Sequence, residues 1–148
     1  MINARLTTIL IALAFQTAAL ASPSADALGQ CFADNTTGKD RKDLAKWLFV
    51  GMSAHPEISA IARASAEATE AAQRTVGILF TRLITETCPN EMRAVIKSEG
   101  AEGAKFAFES LGKMAMQELT SNSQVSGVIA GFQRYVDKPK VERILRSE

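Results

Sequence analysis

The stretch CFADNTTGKDRKDLAKWLFVGMSAHPE, residues 31–57, decides the fold class because it contains the start, the body and the end of one predicted helix. Thr37, followed three residues later by Asp40, fits a capping box in which each side chain accepts a hydrogen bond from a free backbone amide. The body that follows is hydrophobic on nearly all sides, which is typical of a helix buried on most of its surface. The stretch therefore predicts a helix over about Gly38 to Ala54, ending just before His55-Pro56.

Helical periodicity continues through the rest of the chain. Apolar residues recur at spacings of three and four, and alternating runs of β-branched residues are absent, so we predict an all-α bundle of five to seven helices. Pro56 suits a first helical turn, and the pattern predicts one long central helix over about Pro56–Thr87. The other predicted helices cover residues 25–33, 90–97, 102–119, 123–136 (with Val125, Val128, Ile129 and Phe132 facing inward) and 139–146.

The first twenty-one residues have the pattern of a secretory signal peptide. A single cation, Arg5, precedes an apolar stretch that closes on Ala19-Leu20-Ala21, a small-x-small cleavage signal. The apolar stretch is interrupted by Thr and Gln and is shorter than the roughly 20 residues of a transmembrane helix, although a retained N-terminal anchor is the alternative. We predict a signal peptide over 1–21, a single helical domain over 22–148, and a periplasmic or secreted location.

The charge of the predicted mature chain is balanced. Without Arg5, sixteen Lys and Arg face sixteen Asp and Glu. Proteins that bind nucleic acids normally carry an excess of basic residues on one face, and this chain has none, so no nucleic-acid partner is expected. After signal cleavage no remaining segment has the length and hydrophobicity of a membrane span.

Two cysteines, Cys31 and Cys88, are present. In an oxidising compartment such a pair usually forms a disulfide, and we predict one here. A redox-active pair is the alternative, but it normally has the close C-x-x-C spacing that tunes thiol reactivity.

Residues 37–39, Thr-Gly-Lys, have the appearance of the end of a phosphate-binding loop. That motif also needs glycine five residues before Gly38, where this chain has Ala33, and Ser or Thr after the lysine, where it has Asp40. A carboxylate at that position would repel a phosphate. The capping box is therefore the preferred interpretation, and no cofactor site is predicted.

His55 is the only histidine of the chain. With two cysteines predicted to be bridged, it lacks the companions of a zinc site. As a general base it would need an activated nucleophile, and none is recognisable. We predict that His55 interacts with the last carbonyls of its helix, and we predict no catalytic or metal-binding residue.

The candidate partner or ligand surface consists of cations in the first turns of the 38–54 helix and two residues further along. Trp47 suits either core packing or a groove for a partner, and both remain open. The candidate residues are Lys39, Arg41, Lys42, Trp47 and His55.

One resemblance covers this same stretch. Cys31, the run Thr36-Thr37-Gly38-Lys39-Asp40-Arg41-Lys42-Asp43-Leu44, Trp47 and His55-Pro56 together resemble small exported proteins of Gram-negative bacteria that have no assigned function. The resemblance spans Cys31 to Glu57. It implies a periplasmic or secreted helical domain and supplies no catalytic residues.

Three functions follow as hypotheses. The first is a non-enzymatic binding or accessory protein that docks to an envelope or extracellular protein. The second is a carrier of a lipid or other small apolar ligand, because Met114 and Met116 near Phe106 and Phe108 are suited to an adaptable cavity. The third is a hydrolase without a recognisable motif, for which the sequence gives no positive support.

Overall fold

The computed structural model describes residues 22–146, and the predicted signal peptide over residues 1–21 lies outside the described residues. Within them the chain is helical and contains no strand, which confirms the all-α prediction. Residues 22–146 contain seven α-helices, which is the upper end of the predicted range of five to seven. They are α1 (Pro23–Asp34), α2 (Gly38–Ser53), α3 (Pro56–Ser59), α4 (Ala66–Arg82, continued by a π-helical turn over Leu83–Thr87), α5 (Pro89–Thr120), α6 (Ser123–Ala130, continued by a 3₁₀ turn over Gly131–Tyr135) and α7 (Lys138–Arg146).

Helix α2 begins with the predicted capping box. The Thr37 hydroxyl accepts a hydrogen bond from the Asp40 amide at 3.2 Å, and Asp40 Oδ2 accepts one from the Thr37 amide at 2.8 Å. Arg82 at the end of α4 adds an ion pair to the same Asp40 oxygen at 3.1 Å, and it donates to the Asn35 carbonyl at 3.1 Å. The start of α2 is thereby fixed both by its own cap and by α4.

Replacing Asp40 with Asn is expected to reduce stability by roughly 1–2 kcal/mol at neutral pH. Burial of the carboxyl opposes its ionisation, but hydrogen bonds from the Thr37 amide and hydroxyl and the charge of Arg82 outweigh burial and lower the pKa of Asp40 from its ordinary 3.8. Because the folded pKa lies below the unfolded one, this stabilisation is present above the unfolded pKa and is lost as the pH falls through the folded pKa.

Urea unfolding of the wild-type protein and the Asp40→Asn variant at about pH 7 and about pH 2.5 measures this difference. The difference in free energy of unfolding between the two proteins should be much smaller at the acidic pH than at about pH 7. A gap of equal size at both pH values would show that the ionised carboxylate is not what stabilises this helix start.

Helix α5 lies at the centre of the bundle and packs against α1 and α2, while α2 also packs against α4. Its path changes direction at Gly100, whose φ of +65° and ψ of −150° suit glycine alone. Gly103 is also required, because a Cβ there would lie 2.7 Å from Val95 Cγ1 and 2.7 Å from Glu99 Cβ. The two helices predicted over 90–97 and 102–119 are the two halves of α5 on either side of this kink.

The core is built by α1, α2, α4 and α5. Cys31 of α1 and Cys88 at the start of α5 form the predicted disulfide, and Cys88 is fully buried. Aromatic rings extend from the core towards α2, with Phe32 against Phe108 at 5.1 Å and Phe108 against Phe80 at 4.9 Å between ring centroids. The largest fully buried side chains are Phe32, Leu28, Leu83, Leu111, Val95 and Cys88.

The predicted bounds of the long central helix are wrong. The segment over Pro56–Thr87 is divided, because α3 ends at Ser59 and α4 begins only at Ala66. Ser65 caps α4 by accepting a hydrogen bond from the Ala68 amide, and the Ser53 hydroxyl accepts one from the Ala64 amide. These side chains stabilise a turn in place of a continuous helix. The long central helix of the bundle is α5 instead.

The inward orientation predicted for the 123–136 helix is also wrong for most of its apolar residues. Val128, Ile129 and Phe132 are 82%, 54% and 61% exposed, and only Val125 is partly buried. In the described part of the chain, α6 contacts the end of α5 and no second helix covers its other face. The periodicity of the sequence identified this apolar face correctly, but it did not reveal that the bundle leaves the face uncovered.

Candidate functional site: a groove between α2 and α5

The three predicted cations at the start of α2 are all engaged in ion pairs. Lys39 pairs with Asp43 at 2.5 Å, and Glu118 of α5 receives Arg41 at 3.8 Å and Lys42 at 3.9 Å. The hydrogen bond to Asp43 raises the pKa of Lys39, and the same bond lowers the pKa of Asp43. Each of the three cations of the candidate surface therefore has a carboxylate partner on α2 or α5.

Trp47 lies partly buried against the core. Its ring meets the ring of Phe80 edge-on, with 6.1 Å between centroids, and so extends the row of aromatic side chains that begins at Phe32. The packing interpretation of Trp47 is thereby supported. A contact between its exposed part and a partner stays a prediction.

His55 is exposed and begins α3 rather than closing α2. Its Nδ1 atom accepts a hydrogen bond from the Glu57 amide at 3.3 Å, so the predicted contact with the last carbonyls of α2 is replaced by an N-terminal cap. His55 lies sixteen residues after Lys39, which corresponds to about 24 Å along a helical path. The structure does not bring the five predicted surface residues together in one site.

One face of α2 instead lines an open groove, which we call the α2–α5 groove. It has a volume of about 590 Å³ and lies between α2, the end of α5 and the start of α6. Residues of α2 reach it at helical spacing, and α5 and α6 supply the opposite wall. The apolar lining consists of Ala45, Phe49, Met52, Leu119 and Val125, and the polar lining of Lys42, Lys46, Glu118, Ser121 and Asn122.

Two large apolar side chains of the α2–α5 groove, those of Phe49 and Met52, are accessible to solvent. Phe49 is 47% exposed and Met52 is 45% exposed, although both lie on the helix that also buries Leu44 and Ala45. Their exposed surface faces a concave space rather than a flat one. The groove can therefore accept an apolar group that replaces water over these two side chains.

The polar side chains of the groove already serve the local structure. Lys42 pairs with Glu118, and Lys46 pairs with Asp43 at 3.2 Å. The Ser121 hydroxyl donates to the Glu118 carbonyl at 2.8 Å, and Asn122 caps α6 by accepting from the Gln124 and Val125 amides. Their arrangement suits the binding of a largely apolar partner and offers no activated nucleophile or base.

Sequence reasoning identified part of this groove. Lys42 belongs to the predicted surface, and Phe49 and Met52 belong to the apolar stretch that the sequence marked as hydrophobic nearly all round. Leu119 and Val125 were missed as site residues, because they come from a segment about seventy residues later. Local spacing carries no signal that these two segments meet.

No protein-family model, curated protein sequence or solved structure shows significant similarity to the chain. The resemblance of residues 31–57 to small exported proteins therefore stays a prediction. Among residues 22–146, no helix combines the length and hydrophobicity that crossing a bilayer requires. In the same range, no three His, Cys, Asp or Glu side chains are grouped closely enough to hold a metal ion.

Proposed function

We propose that this protein is an exported, non-enzymatic binding protein of the bacterial envelope that holds an apolar segment of a partner protein in the α2–α5 groove. The observation that carries the proposal is the pair of half-exposed side chains, Phe49 and Met52, in a concave apolar lining of about 590 Å³. Apolar side chains that are exposed together in a concave lining suit contact with an apolar partner, whereas single scattered ones are ordinary on a protein surface.

The open shape of the groove favours a protein partner. Small-molecule sites bury roughly 70–90% of the ligand surface, which needs an enclosing wall. Here the long side chains on α2 remain half exposed, so a ligand in the groove would keep one side in water. A helix or extended segment of a partner covers such a groove with its apolar residues and keeps its polar face outside.

The charged residues around the groove would orient the partner rather than attract it strongly. Lys42 and Lys46 are 67% and 73% exposed at the side chain, and each has a carboxylate partner on this protein. Exposed pairs of this kind contribute little free energy, on the order of 0–1 kcal/mol. Most of the affinity is therefore expected from the apolar lining.

The disulfide supports the export component of the proposal. Cys31 and Cys88 are bonded to each other, and disulfides persist in oxidising compartments such as the periplasm and the extracellular space. The predicted signal peptide over residues 1–21 agrees with the same compartment.

Site-specific photo-crosslinking in the native host tests the proposal. With p-benzoylphenylalanine in place of Phe49, we expect a discrete crosslinked species that contains one partner protein. The same amino acid at position 106 is the matched control, because Phe106 is 37% exposed but lies in a different cleft beside α1. The same species at both positions, or none at position 49, would contradict the proposal.

The Phe49→Glu substitution is expected to reduce partner capture at least tenfold without a comparable loss of stability, because about half of this side chain is already in water. The control is Ile78→Glu, which places the same charge at a 66% exposed position of α4 outside the groove. Binding of the crosslinked partner and thermal unfolding are measured in parallel. If the Phe49→Glu variant captured the partner as well as the wild-type protein, the partner would not bind in the α2–α5 groove.

A carrier of an apolar small molecule is the second candidate function. The groove volume falls within the roughly 300–1,000 Å³ range of ligand pockets, and the flexible Met52 side chain suits an adaptable lining. Native mass spectrometry of the protein from its own host distinguishes the two. A retained apolar ligand that is lost in Phe49→Glu would favour the carrier, and the ligand-free mass would favour the protein partner.

A further inference from the structure

The second exposed apolar surface lies in the C-terminal segment, residues 123–146, which comprises α6, its 3₁₀ turn and α7. None of its residues is buried. Large apolar side chains are exposed along its whole length, including Val128 at 82%, Tyr135 at 80% and Leu145 at 77%. The segment is continuous with the bundle only through the start of α6, so its apolar surface is separate from the core.

Helix α7 separates its apolar and charged residues cleanly. At about 100° per residue, Val141, Ile144 and Leu145 fall within a sector of roughly 100°. All the charged residues of the helix fall outside this sector. Lys138 and Lys140 flank it on its two sides, where their long side chains can extend past the apolar residues.

Charge is distributed unevenly between this segment and the rest of the chain. Residues 123–148 contain five Lys and Arg against three Asp and Glu, a net charge of +2. Residues 22–122 contain eleven Lys and Arg against thirteen Asp and Glu, a net charge of −2. Within the described residues, Lys138 and Arg143 have no carboxylate within 4.0 Å, whereas Lys140 and Arg146 are paired with Asp137 and Glu142.

We propose that the C-terminal segment binds the surface of an anionic phospholipid bilayer, with α7 lying in the plane of the interface. An apolar sector bordered by lysines, with further cations on the polar face, is the pattern of helices that lie at such interfaces. Phe132 and Tyr135 add aromatic rings of the kind found at the level of the lipid headgroups. This surface is distinct from the α2–α5 groove, and the proposal goes beyond the proposed function.

A second copy of the chain is a less suitable occupant for this face. The apolar groove that could receive α7 of another molecule contains Lys42 and Lys46, which have the same sign as α7. Its carboxylate, Glu118, is already engaged by Arg41 and Lys42. An anionic lipid surface, in contrast, complements every cation of the segment at once.

Vesicle flotation tests the proposal with the full-length gene product as its host processes it. Vesicles of phosphatidylglycerol mixed with phosphatidylethanolamine are compared with vesicles of phosphatidylcholine. We expect at least tenfold stronger binding to the anionic vesicles, and a loss of that preference at about 1 M salt, where charges are screened beyond about 3 Å. Equal binding to both kinds of vesicle would overturn the proposal.

Matched variants assign the binding to this segment. Leu145→Glu is expected to weaken binding to the anionic vesicles at least tenfold, whereas Ile78→Glu, at a similarly exposed position of α4, should leave it unchanged. Each Lys or Arg near an anionic surface strengthens binding roughly fivefold. The Lys138→Glu/Arg143→Glu double variant should therefore bind anionic vesicles at least about 25-fold more weakly than the wild-type protein. Lys97→Glu combined with Lys113→Glu is the control for this charge change, because both lysines are exposed on α5.

Two further outcomes would count against the proposal. Equal losses in the variants and their controls would show that total charge, not this segment, determines binding. A changed oligomeric state of Leu145→Glu in the absence of vesicles, with unchanged vesicle binding, would assign the face to a second copy. Crosslinking at position 49 tests partner binding in the α2–α5 groove independently of vesicle binding. Failure of the membrane proposal is therefore distinguishable from failure of the proposed function.

Discussion

Reduction of the Cys31–Cys88 disulfide is expected to lower the free energy of unfolding by about 4 kcal/mol. The bond closes a loop of 57 residues, so it removes a large share of the conformational freedom of the unfolded chain. In the folded state it holds α1 against the start of α5, where Cys88 is fully buried. A loss of this size is a large part of the roughly 5–15 kcal/mol that stabilises a typical domain.

Urea unfolding of the oxidised protein, the reduced protein and the Cys31→Ala/Cys88→Ala variant measures this contribution. Alanine is preferred to serine because it leaves no unpaired hydroxyl at the buried position 88. The reductant should have no effect on the double variant, which controls for its action elsewhere. A difference below about 1 kcal/mol between the oxidised and reduced protein would mean that the helices are held in place without the covalent link.

The parts of the fold that the sequence predicted are those encoded by neighbouring residues. The Thr37–Asp40 capping box is specified by two residues three positions apart, and both its hydrogen bonds are present. The disulfide could be predicted without knowledge of the fold, because two cysteines allow a single pairing. Helix class, helix number and the start of α2 follow from such local information.

The prediction of one helix over Pro56–Thr87 failed because the same local sequence pattern is compatible with a continuous helix and with two helices joined by a turn. Ser65 lies within the predicted helix over Pro56–Thr87, but in the structure it is the N-cap of α4. Serine suits both roles, and the choice depends on tertiary contacts such as the hydrogen bond from the Ala64 amide to Ser53. Spacing alone cannot distinguish a long alanine-rich helix from two helices with a turn between them.

The candidate site was predicted only in part, because it depends on contacts between distant segments. Lys42 was identified as a residue of the candidate surface, but its ion-pair partner Glu118 lies on α5 and could not be inferred from local spacing. The exposed apolar residues of α6 and α7 are a similar case. An apolar stripe on a helix predicts that this side of the helix packs against another apolar surface. The stripe does not indicate whether that surface belongs to the same chain or to another molecule.

Replacing Phe32 with Ala is expected to lower the free energy of unfolding by about 3–5 kcal/mol. Phe32 is completely buried, and its ring packs against Phe108 at 5.1 Å between centroids. Phe108 in turn contacts Phe80, which meets Trp47, so this row of rings joins α1 to α5, α4 and α2. Removing the first ring leaves a cavity at the point where these helices meet.

Phe106→Ala is the matched control, because it makes the same chemical change on α5 at a residue that is 37% exposed. It should cost only about 1 kcal/mol, since less apolar surface is returned to water and no enclosed cavity forms. A double-mutant cycle with Phe32→Leu and Phe108→Leu should give a coupling of about 0.5–1.5 kcal/mol if the ring contact itself contributes. Equal costs for Phe32→Ala and Phe106→Ala would mean that the core relaxes to fill the space left by the Phe32 ring, so that no cavity remains.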